Sequence, residues 1–432
     1  MTSNDQARAL LLTLYRTAVD TAHPRVCLPA HLPAVPARGR IIVIGAGKAD
    51  AAMAVAAEQH YARRGEIGRV SGFVTTRHGF ALPTEHLEII EAAHPVPDQA
   101  SLDGAARVIS AAKSAGADDL VLVLLSGGAS ALWCQPVEGV SFAAKQALTK
   151  QLLRAGAPIG EMNVVRKHLS RIKGGKLAAA AYPARLLTLA ISDVPGDQPT
   201  SIGSGPTVAD PTTLAEARAI LVRYGVIPSA EVAVALTNPA NETLKPGDAA
   251  LGNSAYEIVA APMASLQAAA RQAGAMGYEI EMLGDALEGE ARDVGRAHGQ
   301  LALAAKAAGR RVAIMSGGEF TVTVKGNGAG GPNQEYALGL ALALNGTAGI
   351  VALAADTDGI DGGSGSATDP AGAFVFPDTL ARAQVLNLNA AMFLANNDSS
   401  GFFGELGDLV QVGPTQTNVN DFRVILVDPD RG

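Results

Sequence analysis

The sequence predicts an α/β protein of two domains, the first built on a doubly wound, mainly parallel sheet. Three observations lead there. The chain has 432 residues, more than one hydrophobic core usually supports. Short apolar runs alternate with Ala-rich segments of helical character, as parallel βαβ units require. The first run, in RIIVIGAGKADAAMAVAAEQHYARR, ends in a glycine turn, Gly45-Ala46-Gly47, that opens a helix.

The elements follow in order. Ala7, Leu10, Leu11, Leu14, Ala18 and Val19 recur at helical spacing, so the first twenty residues read as an amphipathic helix rather than a signal peptide. A Pro-rich connection (Pro24, Pro29, Pro33, Pro36) leads to the first strand, and residues 72–76, 87–93, 120–125 and 186–191 supply further strands. Turn chemistry and weak periodicity over residues 227–249, with Pro228, Pro239, Pro246 and Gly247, place a boundary there and give domains 1–240 and 241–432. In the second half, RRVAIMSGGEFTVTVKGNG reads as two short strands around a glycine turn, with alternation over 320–325. A helix starts near Asn333, residues 350–355 form a strand, and DLVQVGPTQTNVNDFRVILV reads as a closing strand pair.

Composition excludes several classes. A hydrophobic fraction of 48%, a charged fraction of 17% and few aromatics describe a globular chain with an aliphatic core. A net charge of -7 leaves no general nucleic-acid surface, which needs a wide basic face. Cys27 and Cys134 are too few for a disulfide framework and lack zinc spacing, so a reducing cytoplasm is the expected compartment. No run of about 18 apolar residues proposes a membrane span. Small-molecule partners remain, with homo-oligomer formation left open.

Against the acidic whole, residues 163–207 reverse the charge. Arg166, Lys167, His168, Arg171, Lys173 and Lys176 carry no intervening carboxylate. An apolar strand follows, then a loop with Asp193 and Asp197. A basic run is usually a solvated helix face. Beside a carboxylate-bearing glycine loop, it reads instead as an anion site next to a metal site. Gly45, Gly47 and Lys48 at the end of the first strand, and Ser126, Gly127, Gly128 and Ser130 at the end of another, offer backbone amides, hydroxyls and an ammonium to a phosphate. The dinucleotide fingerprint fails, because Asp50 stands where its third glycine belongs and GFVTTRHG lacks the ribose-binding acid. Walker A fails too, since Ala49 follows Lys48. Further acids end strands at Glu319, Asp356, Asp358 and Asp361, without the spacing of an EF-hand. The histidines show neither metal-ligand spacing nor a nucleophile partner, and no serine sits in a G-x-S-x-G elbow. Cations, glycine loops and carboxylates together form the equipment of phosphoryl transfer.

Six ordered segments, IIVIGAGKADAAMA, LVLLSGGASALW, NVVRKHLSRIKGGKLA, ISDVPGDQPTSIGSGPT, SGGEFTVTVKGNGAGGPNQEYAL and AADTDGIDGGSGSATDP, resemble the glycerate 2-kinase family, some of whose members carry the label hydroxypyruvate reductase. The resemblance spans nearly the whole chain. It implies a Rossmann-like N-terminal domain, a smaller mixed α/β C-terminal domain of MOFRL type, and an active site in the cleft between them. It also implies ATP and Mg2+ as cofactors and phosphorylation of D-glycerate to 2-phosphoglycerate. Carried over by position, Lys48, Asp193 and Arg166 would be catalytic and Asp193 and Asp197 would hold the metal. Gly45, Gly47, Ser126, Gly127, Gly128, Ser130, Lys167, Arg171, Glu319, Asn333, Glu335 and Asp356 would bind substrate or nucleotide. Some relatives have a basic residue where this chain has Pro332, a charge that Arg166 or Lys325 would have to supply. The alternatives are an NAD(P)H-dependent hydroxypyruvate reductase and a non-catalytic protein that binds a nucleotide or sugar acid.

Overall fold

The computed structural model describes residues 3–363 and 365–430. Two compact units emerge, Cys27–Val259 and a second unit of Met1–Val26 with Ala260–Gly432. This division differs from the expected 1–240 and 241–432. The helix Ser3–Ala22 buries Leu11, Leu14, Tyr15, Ala18 and Val19 in a core shared with Leu266, Ala269, Phe374 and Phe422, so burial of its apolar stripe assigns it to the C-terminal unit.

The sheet of the unit Cys27–Val259 holds β1 (Ile41–Ala46), β2 (Val70–Arg77), β3 (Glu88–Ala92), β4 (Leu120–Leu125), β5 (Arg185–Ile191) and β6 (Ser254–Ala260). Their order is β3-β2-β1-β4-β5-β6, and every pairing among β1 to β5 is parallel. β1 and β4 are buried along their whole length, which is why both read as unbroken apolar runs rather than alternating ones. β6 had no counterpart among the expected strands. Its residues alternate between exposed and half-buried beside a Pro- and Gly-rich stretch, and that masks the pattern. Between β4 and β6, the helices Phe142–Arg154, Ile159–His168, Leu214–Arg223 and Ala230–Thr237 share a separate core of Leu148, Leu152, Val165, Ile220 and Leu236.

The other unit's sheet contains β7 (Glu279–Gly284), β8 (Val312–Ser316), β9 (Ile350–Asp356), β10 (Gly372–Val375), β11 (Leu409–Val410) and β12 (Asp421–Val427), in the order β11-β10-β9-β12-β8-β7. It is mixed: β7 and β8 run parallel, while β12 is antiparallel to both β8 and β9. Two expectations fail here. The closing segment does not pair with itself, because β12 inserts between β8 and β9 while β11 pairs with β10. Residues 320–325 form no strand beyond one isolated bridge at Thr321. Their backbone donors go elsewhere: Thr323 N–H to the Glu290 carboxylate, and Lys325 and Gly326 N–H to Asn397 Oδ1. Side-chain acceptors replace a ladder, so the alternation had no partner strand to express it.

Candidate active site

In this strand order the connections reverse direction between β1 and β4, and open α/β sheets place ligands outside the carboxyl ends of strands at such a switch point. Gly45, Gly47 and Lys48 end β1, and Ser126, Gly127, Gly128 and Ser130 end β4. The two loops are stitched together. Ser126 N–H donates to Ala46 O (3.2 Å) and Lys48 N–H to Gly127 O (2.8 Å). Ala49 N–H donates to Ser126 Oγ (3.0 Å), and that hydroxyl donates to Asp50 Oδ1 (2.5 Å). Gly128 has φ +87°, and a Cβ there would lie 3.0 Å from the His94 ring and 3.5 Å from Lys48 Cγ. Glycine at 128 therefore leaves room for the His94 ring against the loop.

The basic block divides into three groups. Lys173 is buried and donates to Ser130 O (2.7 Å), and Ser130 Oγ meets Ser204 Oγ (2.7 Å) from the loop after β5. Lys145, also buried, donates to Leu169 O, and half-buried Arg166 donates to Asn163 Oδ1. Burial presses Lys145 down to about 8 and Lys173 well below the usual lysine range, with Arg166 lowering both further. No carboxylate bonds Lys145, Arg166 or Lys173 among the described residues. Lys176 bonds Ser170 O and Asn241 O and is likewise lowered by burial to about 8. A second group is committed: Lys167 faces buried Asp210 (3.4 Å), and the His168 ring nitrogens face Val164 O and Glu242 Oε1, each at 2.8 Å. The third is Arg171 alone, exposed in a surface groove of about 650 Å³ with Asp103 and Glu138.

Asp193 is half-buried two residues beyond β5, the strand beside β4. Asp197 lies in the next turn in the left-handed region, φ 53°, and its Oδ1 is buried with no hydrogen-bond partner among the described residues. No group of three His, Cys, Asp or Glu side chains forms a metal cage among the described residues. The unbonded Asp197 oxygen is an acceptor of the kind a hard cation uses, and magnesium commonly takes only one or two carboxylates with the rest from ligand phosphates and water.

The other unit groups its acids differently. Asn333 is buried at the start of the helix Pro332–Leu344. Its N–H donates to Asp361 Oδ1 (3.0 Å), and its side-chain amide reaches Asp361 Oδ1 (3.2 Å) and Asp421 Oδ1 (2.7 Å). Gln334 N–H donates to Asp361 Oδ2 (2.9 Å), so Asp361 takes the first free amides of this helix. Burial pushes Asp361 up to about 7, the Asn333 and Gln334 donors oppose it, and Asp421 adds to it. Glu335 accepts from Arg292 Nε (2.7 Å) and Asn397 Nδ2 (3.0 Å). Asp356, paired in register with Asp421, accepts the Asp358 N–H (2.8 Å). Glu319 is exposed beyond β8. Pro332 occupies the first helical position, where its missing N–H costs nothing.

Sequence reading missed Asp50, His94, Lys145, Ser204 and Asp421 as parts of these clusters. Only Asp50 left a signal, as the residue in place of a fingerprint glycine. The others are joined by folding across tens of residues.

Fold and clusters define a two-unit α/β protein with the ligand position of doubly wound sheets and, beside it, cations that no carboxylate bonds among the described residues. A model described as a domain of unknown function, DUF4147, matches residues 10–237, and the MOFRL family model matches residues 312–421. A protein of Agrobacterium vitis named "Putative hydroxypyruvate reductase" is 49% identical over 99% of this chain and 96% of its own. The D-glycerate 2-kinase of Thermotoga maritima is 36% identical over 98% of this chain and 99% of its own. The crystal structure of a glycerate kinase from Thermotoga maritima superposes with a TM-score of 0.86 at 35% identity, covering 98% of this chain and 100% of that one. The chain belongs to the MOFRL-type glycerate kinase family.

Proposed function

We propose that this protein is a glycerate 2-kinase, transferring the γ-phosphoryl group of ATP to the C2 hydroxyl of D-glycerate to form 2-phosphoglycerate and ADP. One observation carries the reading: Lys145, Arg166 and Lys173 lie close enough for Arg166 to lower the pKa of both lysines, no carboxylate bonds them among the described residues, and Lys173 holds Ser130 of a switch-point loop. Buried cations without counter-charge are costly, and an anionic substrate relieves that cost. The named activity of the Thermotoga maritima relative supports the choice of acid.

In this mechanism Lys48 meets the transferring phosphoryl group, and Arg166 receives the substrate carboxylate in the field of Lys145 and Lys173. The loop amides of Gly127 and Gly128 line the phosphate path. Asp193 orients the C2 hydroxyl and accepts its proton as the oxygen attacks phosphorus. Asp193 and Asp197 would hold Mg2+, which when bound neutralises phosphate charge. Lys167 and Arg171 have no part in this mechanism, since one is paired with Asp210 and the other faces a separate groove.

The rival reductase reading draws on the name of the Agrobacterium relative. Against it, the Asp50 and Ser126 side chains fill the space over Gly45 and Gly47 where a dinucleotide pyrophosphate would approach. Purified protein separates the two: ADP release that requires D-glycerate, ATP and magnesium, with a 2-phosphoglycerate signal in phosphorus NMR, is the expected result. NADH oxidation by hydroxypyruvate without ATP would overturn it.

A further inference from the structure

The glycines of the first turn serve an internal purpose. A Cβ on Gly45 would lie 2.5 Å from Asp50 Oδ2, and one on Gly47 would lie 2.6 Å from Asp50 Oδ1 and overlap the Ser126 hydroxyl. Both positions are therefore small so that a carboxyl and a hydroxyl of the protein itself can pack against the turn. Asp50 is fully buried, and no cation bonds it among the described residues. Its Oδ1 accepts from Ser126 Oγ, while its Oδ2 has no partner among the described residues. Such a group is expensive to keep. Burial raises its pKa well above the carboxylate range.

What Asp50 maintains is a relay. β1 and β4 pair in parallel up to Ala46 and Leu125, and beyond that point four hydrogen bonds continue the junction. Two are backbone bonds, Ser126 N–H to Ala46 O and Lys48 N–H to Gly127 O. The other two pass through the Ser126 hydroxyl, which accepts from Ala49 N–H and donates to Asp50. Lys48 sits between these bonds, with its own N–H donating one of them.

We propose that Asp50 is a positioning residue for phosphoryl transfer: through the Ser126 hydroxyl it locks the β1 and β4 loops together and thereby fixes where the Lys48 ammonium stands. This rests on the reading of Lys48 as the group that meets the transferring phosphate. The role of Asp50 Oδ1 is to accept a hydrogen bond, which an asparagine can also do.

The test is a double-mutant cycle on the full chain with ATP and D-glycerate as substrates. Asp50→Ala should lower kcat by about 10- to 100-fold, the range expected for misplacing a catalytic group by about an ångström, with both KM values within about threefold. Asp50→Asn should restore kcat to within about threefold of the parent. In a Lys48→Ala background, Asp50→Ala should cost less than about twofold, because it has no lysine left to position. Equal losses in both backgrounds, or parental kcat in Asp50→Ala, would overturn the proposal. If Asp50→Ala does not fold, Ser126→Ala removes the middle of the relay and carries the same cycle with the same criteria. Parental turnover in Lys48→Ala alone would remove the parent reading and this proposal with it. A crippled Lys48→Ala beside silent Asp50→Ala and Ser126→Ala variants would remove only the proposal.

Discussion

The turn after β1 and the start of the helix Pro332–Leu344 look alike in the sequence, each a glycine-bearing loop running into a helix, yet folding puts them to opposite uses. At the first, the internal carboxylate comes from the helix itself and bonds a serine hydroxyl, leaving Lys48 at the carboxyl end of the sheet. At the second, Asp361 arrives from another loop and takes the N–H groups of Asn333 and Gln334, the donors a phosphate would use. Glu335 is held by Arg292 and Asn397. In both turns side chains of the protein reach the loop first, and what separates them is that the first holds Lys48 at the carboxyl end of the sheet while the second has its leading helix amides taken by Asp361.

The sharpest way to break this contrast is Glu335→Ala. Removing one partner of a buried ion pair should cost about 3 kcal/mol of stability, read from denaturant unfolding, with turnover of the folded enzyme within about threefold. Lost turnover at unchanged stability would move the helix start into the active site. Next, Lys48→Ala should lower kcat by at least about 100-fold, or about 2.7 kcal/mol of barrier, if its ammonium stabilises the transferring phosphoryl group. Its unfolding midpoint should stay near that of the parent.

A smaller effect concerns Asp361. Because its folded pKa is raised to about 7 from an unfolded value near ~4, the folded state keeps a proton that the unfolded state has released across that window. Stability should therefore fall as pH rises from about 4 to about 7. Asp361→Asn should flatten this part of the curve of unfolding free energy against pH, whatever its constant offset, and an unchanged slope would deny Asp361 the proton. The smallest effect is expected of Arg171→Ala. Its side chain is exposed in a groove with Asp103 and Glu138, so kcat/KM for D-glycerate should stay within about twofold, as for surface changes away from a site. A tenfold loss would place Arg171 among the anion-binding groups after all.

Local pattern by itself determined much of this protein. The unbroken apolar runs of β1 and β4 marked buried parallel strands, because a strand covered on both faces has no polar side to show. Helical spacing of Leu11, Leu14 and Ala18 marked the first helix, and the density of cations from Arg166 to Lys176 marked an anomaly that composition could not explain. Tertiary structure decided what pattern could not. Which unit the first helix joins depends on the apolar face that covers it, and β12 found its neighbours across the chain rather than in the adjacent segment. Of six neighbouring basic and imidazole groups, Lys167 and His168 met the carboxylates of Asp210 and Glu242, Lys176 met the carbonyls of Ser170 and Asn241, Arg171 turned to solvent, and Arg166 and Lys173 came into the field of Lys145 from a separate helix. Charge spacing along the chain names candidates. Whether a charge is already neutralised depends on partners that folding brings from tens of residues away, and at 3 to 4 Å those partners decide which cations remain for a ligand.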